Sequence, residues 1–357
     1  MILIPDFGYG GGQSLAVNVV KELSNCSAID FLIVSLYPSQ NTVLEKDAIR
    51  NNLKYVCLNK HPGYSFKTTL ELRKVIKRFK PDVIHAHLRV MTVLLPCIVF
   101  RKKFRVLYTV HNLAAKDGRG FLKYVLSFAF KFCNVQPIAI SDTCRQSITE
   151  YYRFPIDKIP CVYVGTDLHR FNRKNEYSML NDEIIRFIAV GRLTKQKNYS
   201  LMINAFIEAH KHKTNIQLTI VGKGEEYNQL VNIVNMRNQQ NVIKVVGYVS
   251  DLKSALENSH VYLMSSDWEG LPQSALEALS IGLPIVTTKA GGVVDIVKEG
   301  ENGFLVECGD QEGLTKAILK ISNSREQRNL FSKNNIRDSV KYSINKCAED
   351  YEKIYLE

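Results

Sequence analysis

Short apolar runs of strand length alternate with stretches of helical period along nearly the whole chain, and few folds satisfy that alternation. The first run, MILI, passes through the glycine-rich turn FGYGGGQS into the helical stretch SLAVNVVKEL and then the strand FLIVSL. Helix TTLELRKVIKRF, stopped by Pro81, leads to strand DVIHAH, a helical run after Arg89, strand RVLYTVHN, a helix over 121–132 and strand PIAIS. Strands separated by helices return in one direction, so the expected sheet is parallel and doubly wound. The pattern lapses into a polar connection over 177–182, and a second series opens with IRFIAV. It continues through IQLTIVG, VIKVVGYV, VYLMSS and PIVTT, each separated from the next by a helical stretch. A chain of 357 residues suffices for two such cores. The reading is an α/β protein with two Rossmann-like domains, 1–170 and 171–335, and a charged helical tail over 336–357 that packs back on the first.

At 45% apolar and 23% charged residues, the composition excludes collagen-like, coiled-coil and wholly disordered chains. The charge is unevenly placed. There are 24 basic and 12 acidic residues up to Arg170 and 23 of each beyond it, so the whole excess of +12 lies in the first half. Such a field attracts nucleic acid, an anionic membrane surface or an acidic substrate. The basic half lacks aromatics interleaved along a basic groove, zinc-type ligand spacing and a recognition-helix pattern, so no nucleic-acid partner is expected. Eight cysteines are spread without a C-x-x-C pair and read as reduced thiols of a cytoplasmic protein. The longest apolar stretches, near 92–100 and 121–133, fall short of the roughly 20 residues a bilayer needs or are broken by Lys, so any membrane contact is superficial.

In parallel α/β sheets, ligands bind beyond the carboxyl ends of the strands, and the loops there carry the candidates. Gly10, Gly11 and Gly12 precede a helix, where backbone N–H groups and the positive end of the helix dipole can meet an anion; a plain tight turn is the alternative. The loop is neither G-x-G-x-x-G in register nor a P-loop. In GRLTKQKN, Arg192 and Lys197 stand just past a strand and before a helix, where two cations can clamp a diphosphate or simply form a solvated basic loop. DWEGLPQSALEALSIGLP places Glu269 in a glycine–proline loop and Glu277 eight residues later, two turns into a helix that starts near the proline. Carboxylates hold sugar hydroxyls well, because each oxygen accepts from a polyol and the charge strengthens the bond; an exposed helix glutamate is the alternative for Glu277. GGVVDIV and GENGFLV read as turns returning the chain to the sheet. His111 closes a strand and faces the ligand side, unless it is simply structural. His85 and His87 share a strand face, but no third ligand or D-x-D pair completes a metal site.

The ordered combination GRLTKQKN, IVGKGEE, GYVSD, EGLPQSALEALSIGLPIV, GGVVDIV and ENGFLV resembles the retaining GT-B glycosyltransferases of family 4. The E-x7-E signature of that family is met as Glu269 to Glu277. GGGQS, DVIHAH, TVHN, AISD and VGTDLHRF in the first half resemble it more loosely, and Val164 stands where many members have an asparagine before the glycine. The resemblance implies two domains facing a central cleft, with a nucleotide-sugar, by preference a UDP-sugar, bound mainly by the second. Residues matching Arg192 and Lys197 would hold the diphosphate, Glu277 the ribose and Glu269 the donor sugar. Amides near Leu271, Gln273 and Ser274 would meet the phosphates, Val249 would lie beside the base, Gly11 and Gly12 would close over the phosphates, and His111 would sit by the sugar. Neither metal nor cofactor would be needed, since the basic clamp neutralises the departing diphosphate. The expected acceptor is a lipid-linked saccharide in bacterial surface-polysaccharide synthesis. The basic residues Lys74, Lys77, Arg78 and Lys80 and the run RKKFR would place the first domain on anionic lipid at the inner face of the plasma membrane. A GT-B nucleotide-sugar epimerase is the alternative enzyme.

Overall fold

The computed structural model describes residues 1–8, 10–24, 29–61, 63, 65–99, 104–173, 177 and 180–357. Cys26, Arg101, Lys102 and Lys103 of the basic run, and part of the polar connection over 177–182 lie outside the described residues. The chain divides into two compact units, Met1–Gly165 with Ile344–Glu357, and Thr166–Ser343.

In the first unit the elements run β1 (Ile2–Ile4), α1 (Gly11–Ser24), β2 (Ile33–Ser35), α2 (Val43–Arg50), β3 (Tyr55–Cys57), α3 (Phe66–Phe79) and β4 (Val83–His87). They continue through α4 (Met91–Ile98), β5 (Arg105–Val110), α5 (Ala114–Asp117), α6 (Phe121–Phe132), β6 (Val135–Ala139) and α7 (Asp142–Tyr152). The six strands form one parallel sheet in the order β3-β2-β1-β4-β5-β6. The order reverses its direction of growth at β1, so a loop crevice opens at the carboxyl ends of β1 and β4. Leu3, Ile4, Ile84, Ala86, Leu107, Tyr108 and Ile138 are buried along the strands, as near-continuous apolar runs in a two-faced sheet must be.

The second unit runs β7 (Ile185–Val190), α8 (Tyr199–His212), β8 (Ile216–Val221), α9 (Tyr227–Met236), β9 (Ile243–Val246), α10 (Leu252–Glu257) and β10 (Val261–Met264). Then come α11 (Gln273–Ser280), β11 (Ile285–Thr288), β12 (Gly303–Val306), α12 (Gln311–Asn323) and α13 (Arg325–Ser339). Its sheet is again parallel, ordered β12-β11-β10-β7-β8-β9, with the reversal at β7 and β10. The core is built from Phe187, Phe206, Leu218, Ile220, Leu263, Val286, Phe304, Ile318 and Phe331. GENGFLV does turn, through Gly300 N–H to the Gly303 carbonyl at 2.9 Å, but its second half is the strand β12 itself.

The last helix, α14 (Ile344–Leu356), belongs to the first unit and packs along α1. Its buried Tyr351 and half-buried Tyr355 reach the sheet: Tyr355 Oη lies 2.7 Å from His85 Nδ1, and Tyr351 Oη lies 3.1 Å from Thr109 Oγ1. His85 Nε2 closes the set on Thr109 Oγ1 at 2.7 Å. Buried polar groups on three elements thus satisfy one another, which fixes the helix to the sheet in one register. None of the seven described cysteines is in a disulfide.

Candidate functional site

In the second unit the loops after β7, β8 and β10 are laced together by backbone contact. Gly191 N–H donates to the Val221 carbonyl at 3.1 Å, Leu193 N–H to Lys223 at 2.9 Å and Glu226 N–H to Leu193 at 3.1 Å. A methyl group on Gly224 would sit 2.1 Å from the Leu193 carbonyl oxygen, so the approach demands glycine. Asn198, in the left-handed region at φ 47°, ends the loop and caps α8 by accepting from Leu201 N–H at 3.4 Å.

The loop after β10 is seated against the first one. Asn198 Nδ2 donates to Asp267 Oδ1 at 3.0 Å, Asp267 N–H to the Gln196 carbonyl at 2.9 Å, and Gln196 Nε2 to the Trp268 carbonyl at 2.8 Å. Ser265 Oγ bonds the carbonyls of Lys197 and Asn198, both at 2.9 Å. Within this frame Lys197 Nζ lies 2.6 Å from Glu269 Oε1, with side chains only 13% and 8% exposed. Ser266 Oγ donates to the same carboxylate oxygen at 2.7 Å and Gln196 Nε2 to the other at 3.4 Å. Glu269 is therefore a fixed, charged acceptor, and Lys197 keeps further N–H donors beyond the one its partner takes. The next loop walls the site. Gly292 N–H donates to the Gly270 carbonyl at 2.8 Å, and Gly291 sits at φ 61° where an added methyl would strike the Glu269 carbonyl oxygen at 2.0 Å.

Arg192 is exposed at the start of the first loop, with no ion pair among the described residues. Pro272 opens α11 at Gln273, so Glu277 lies one turn into the helix, not two. Glu277 is half-buried, and burial, offset in part by Arg170, pushes its carboxyl up to about 7. Leu271 is buried beneath this helix end, while Gln273 and Ser274 are half-buried on its first turn. Ser274 Oγ is taken by Tyr262 Oη at 2.7 Å, so its hydroxyl faces the core. Val249 is half-buried in the loop between β9 and α10. The structure thus brings Lys197 and Glu269 into contact and sets both on loops at the carboxyl end of one sheet. Two cations, a buried acceptor, a second carboxyl and the positive end of a helix can together hold an anion beside a polyol.

In the first unit, Gly11 and Gly12 open α1. Nothing stands near Gly11, whereas a methyl on Gly12 would lie 3.1 Å from His111 Nδ1 and 3.0 Å from Leu88, itself left-handed at φ 61°. The glycine turn and His111 are therefore neighbours. His111 Nε2 lies 2.9 Å from His87 Nδ1, one ring nitrogen donating to the other, and the rings of His85 and His87 stand 4.0 Å apart. Burial lowers His111 to about 4 and holds His87 well below the ordinary imidazole value, so both rings are neutral at pH 7. Behind them Asp117 accepts from Tyr108 Oη at 2.8 Å and from His111 N–H at 3.4 Å, and burial raises its carboxyl to about 6. Among the described residues no three His, Cys, Asp or Glu gather to hold a metal ion.

Sequence reasoning passed over Gln196, Asn198, Ser266 and Asp267, which hold the ion pair in place. Gln196 and Asn198 stand inside GRLTKQKN, but their spacing shows no periodicity, and only the meeting of two distant loops reveals their use. The strand pattern gives His87 no third metal ligand; its partner in the structure is His111, at the end of the neighbouring strand.

Two family profiles match the chain, "Glycosyltransferase Family 4" over residues 9–170 and "Glycosyl transferases group 1" over residues 172–338. An uncharacterized glycosyltransferase of Methanocaldococcus jannaschii is 29% identical over 244 residues, covering 64% of this chain and 60% of that protein. The chain thus spans less than two thirds of that relative's length. The UDP-Gal:alpha-D-GlcNAc-diphosphoundecaprenol alpha-1,3-galactosyltransferase of Escherichia coli is 28% identical over 304 residues, 78% of this chain and 76% of that enzyme. Among solved structures, HepE of Anabaena in complex with UDP superposes with a TM-score of 0.84 at 16% identity, over 99% of this chain and 98% of that one.

Proposed function

The chain belongs to the glycosyl transferases of group 1 and family 4, with the paired parallel sheets of the GT-B fold, and from that premise we propose that it is a retaining hexosyltransferase. It moves a hexose or N-acetylhexosamine from a UDP-sugar to a lipid-linked saccharide during bacterial surface-polysaccharide synthesis. The observation that carries this reading is the pair of loops in which Lys197 meets Glu269 at 2.6 Å, with Arg192 before them and α11 with Glu277 after them.

In this reading Arg192 and Lys197 bind the diphosphate, assisted by the positive end of α11 at Leu271, Gln273 and Ser274. Val249 lies along the base, Glu277 accepts from the ribose hydroxyls and Glu269 from the sugar. As the bond from the anomeric carbon to the diphosphate breaks, its electron pair passes to the phosphate oxygen, and the preorganised cations stabilise that charge as it grows. The acceptor hydroxyl bonds to the anomeric carbon on the face the diphosphate leaves, and its proton ends on the leaving phosphate. In the first unit, Gly11 and Gly12 open α1 with no Cβ and neutral His111 stands beside them, a second set of groups suited to a phosphate and a sugar hydroxyl. The clamp replaces a divalent ion, so the transfer needs no metal. The relative named for a diphosphoundecaprenol-linked substrate supports the lipid-linked acceptor. The exposed Lys74, Lys77, Arg78 and Lys80 around the end of α3 support peripheral attachment at the cytoplasmic face of the membrane, and no described helix is long and apolar enough to cross one.

The test is product analysis with each UDP-sugar and an undecaprenyl-diphosphate saccharide in detergent. Transfer with the donor's anomeric configuration retained supports the proposal; inversion contradicts it. Isomerised nucleotide-sugar formed without acceptor would identify an epimerase instead.

A further inference from the structure

Helix α6 has the sequence FLKYVLSFAFKF, and its buried side, Leu122, Val125, Leu126, Ala129 and Phe130, seats it on the sheet. Phe121, Tyr124, Phe128 and Phe132 follow one another at helical spacings of three and four along the opposite side. They are 75%, 70%, 43% and 74% exposed, and the rings of Phe128 and Phe132 touch at 5.3 Å between centroids. Phe121, Tyr124 and Phe132 thus leave most of their surface open on the side of α6 away from the core, with Phe128 half-open between them, and ridges of that kind mark contact surfaces.

Where α6 ends, a groove of about 510 Å³ opens at the amino ends of β5 and β6. Arg105, Lys131, Arg153 and Lys158 line it with Phe130 and Phe154, and among the described residues no carboxylate does; Asp157, beside Lys158, stands outside the lining. The fold gathers further cations at this edge. Helices α3, α4 and α6 pack side by side on one face of the sheet, and each runs back to the amino end of the next strand. The exposed Lys77, Arg78 and Lys80 at the end of α3 therefore belong to the same edge as the groove. Phe121, at the other end of α6, marks the carboxyl edge, where Gly12 and His111 lie.

We propose that α6 is the surface by which this unit docks on an anionic bilayer, the aromatic ridge entering the headgroup layer and the cationic groove receiving lipid phosphates. Aromatic rings settle at the membrane–water boundary, and flanking cations draw them to anionic leaflets, so ridge and groove fit one occupant together. A nucleic acid would match the groove but would leave the ridge wet. The proposal rests on the lipid-linked acceptor and names the residues that bring the enzyme to it.

The experiment is vesicle flotation of the full chain with phosphatidylglycerol–phosphatidylcholine mixtures and with phosphatidylcholine alone. It compares wild type with a Phe121→Ser, Tyr124→Ser, Phe132→Ser variant and with a Lys131→Glu, Lys158→Glu variant. Wild type should bind only the anionic vesicles, and each variant should lose about tenfold or more in vesicle affinity. UDP affinity and the thermal midpoint of each variant, measured alongside, should match wild type. Variants that bind anionic vesicles as wild type does overturn the α6 assignment. So does loss of self-association in sedimentation without loss of vesicle binding, which would make the ridge a contact between copies. Transfer to the lipid-linked acceptor in detergent is scored separately: transfer without vesicle binding sinks the docking surface alone, and vesicle binding without transfer sinks the acceptor reading alone.

Discussion

At the scale of single residues, the ion pair between Lys197 and Glu269 makes two assignments interdependent. Both side chains are nearly buried, so removing either leaves a charge without its partner, at a cost of about 3–5 kcal/mol. Lys197→Ala should weaken UDP binding and Glu269→Ala should mostly lower turnover, while both lower the thermal midpoint. The double variant should lose clearly less than the sum of the two, because the coupling is counted once. Strict additivity in a thermal-melt cycle would contradict the pairing, and wild-type kinetics in both variants and in Glu277→Ala would contradict the site.

Glu277 supplies a pH dependence of known sign. Its carboxyl titrates near 7 in the folded protein against an ordinary value of 4.5, so the folded state holds a proton that the unfolded chain has released between those values. Stability should therefore fall as pH rises through that window, while UDP affinity should rise, because only the carboxylate form accepts two ribose hydroxyls with full charge. Glu277→Gln should flatten both trends. Melting curves and titrations at pH 5, 6, 7 and 8 read them, and an unchanged slope in the Gln variant would place the titrating group elsewhere.

At the scale of elements, the alternation of strand and helix was legible because both signals are periodic, and the carboxyl-end rule pointed to the loops that carry Arg192, Lys197 and Glu269. The three-residue strand β3 was not legible, since it is too short for a period and is only partly buried. Strand β12 hid behind the glycines of GENGFLV, whose turn signal dominated. GGVVDIV was legible as a turn, but its service to the site depends on contact with the distant Glu269 loop. That service is testable at Gly291, whose positive φ and 2.0 Å clearance from the Glu269 carbonyl leave no room for a side chain. Gly291→Ala should destabilise the second unit by about 1–3 kcal/mol or more and weaken UDP binding. Wild-type melting and affinity in that variant would show the loop to be unbraced.

At the scale of the whole molecule, the charge asymmetry visible in the sequence is a property of one folding unit, while what completes that unit lies at the far end of the chain. Tyr351 and Tyr355 on α14 satisfy Thr109 and His85, so a chain ending at Ser343 strands buried polar groups in the first unit and uncovers the apolar surface along α1. Such a truncation should lose the first unit's cooperative melting in calorimetry and keep a UDP-stabilised transition from the second. A truncated chain with both transitions intact would contradict the role given to α14. The site lies in loops that no periodicity marks, and the family resemblance carried its assignment further than composition could.

Calorimetric titration of the purified protein with UDP, GDP and ADP, with and without EDTA, tests the proposed metal-independent diphosphate clamp of the second unit. UDP should bind with micromolar affinity, unchanged by EDTA and lost in Lys197→Ala. Binding abolished by EDTA, or no binding of any of the three nucleotides, would contradict that clamp.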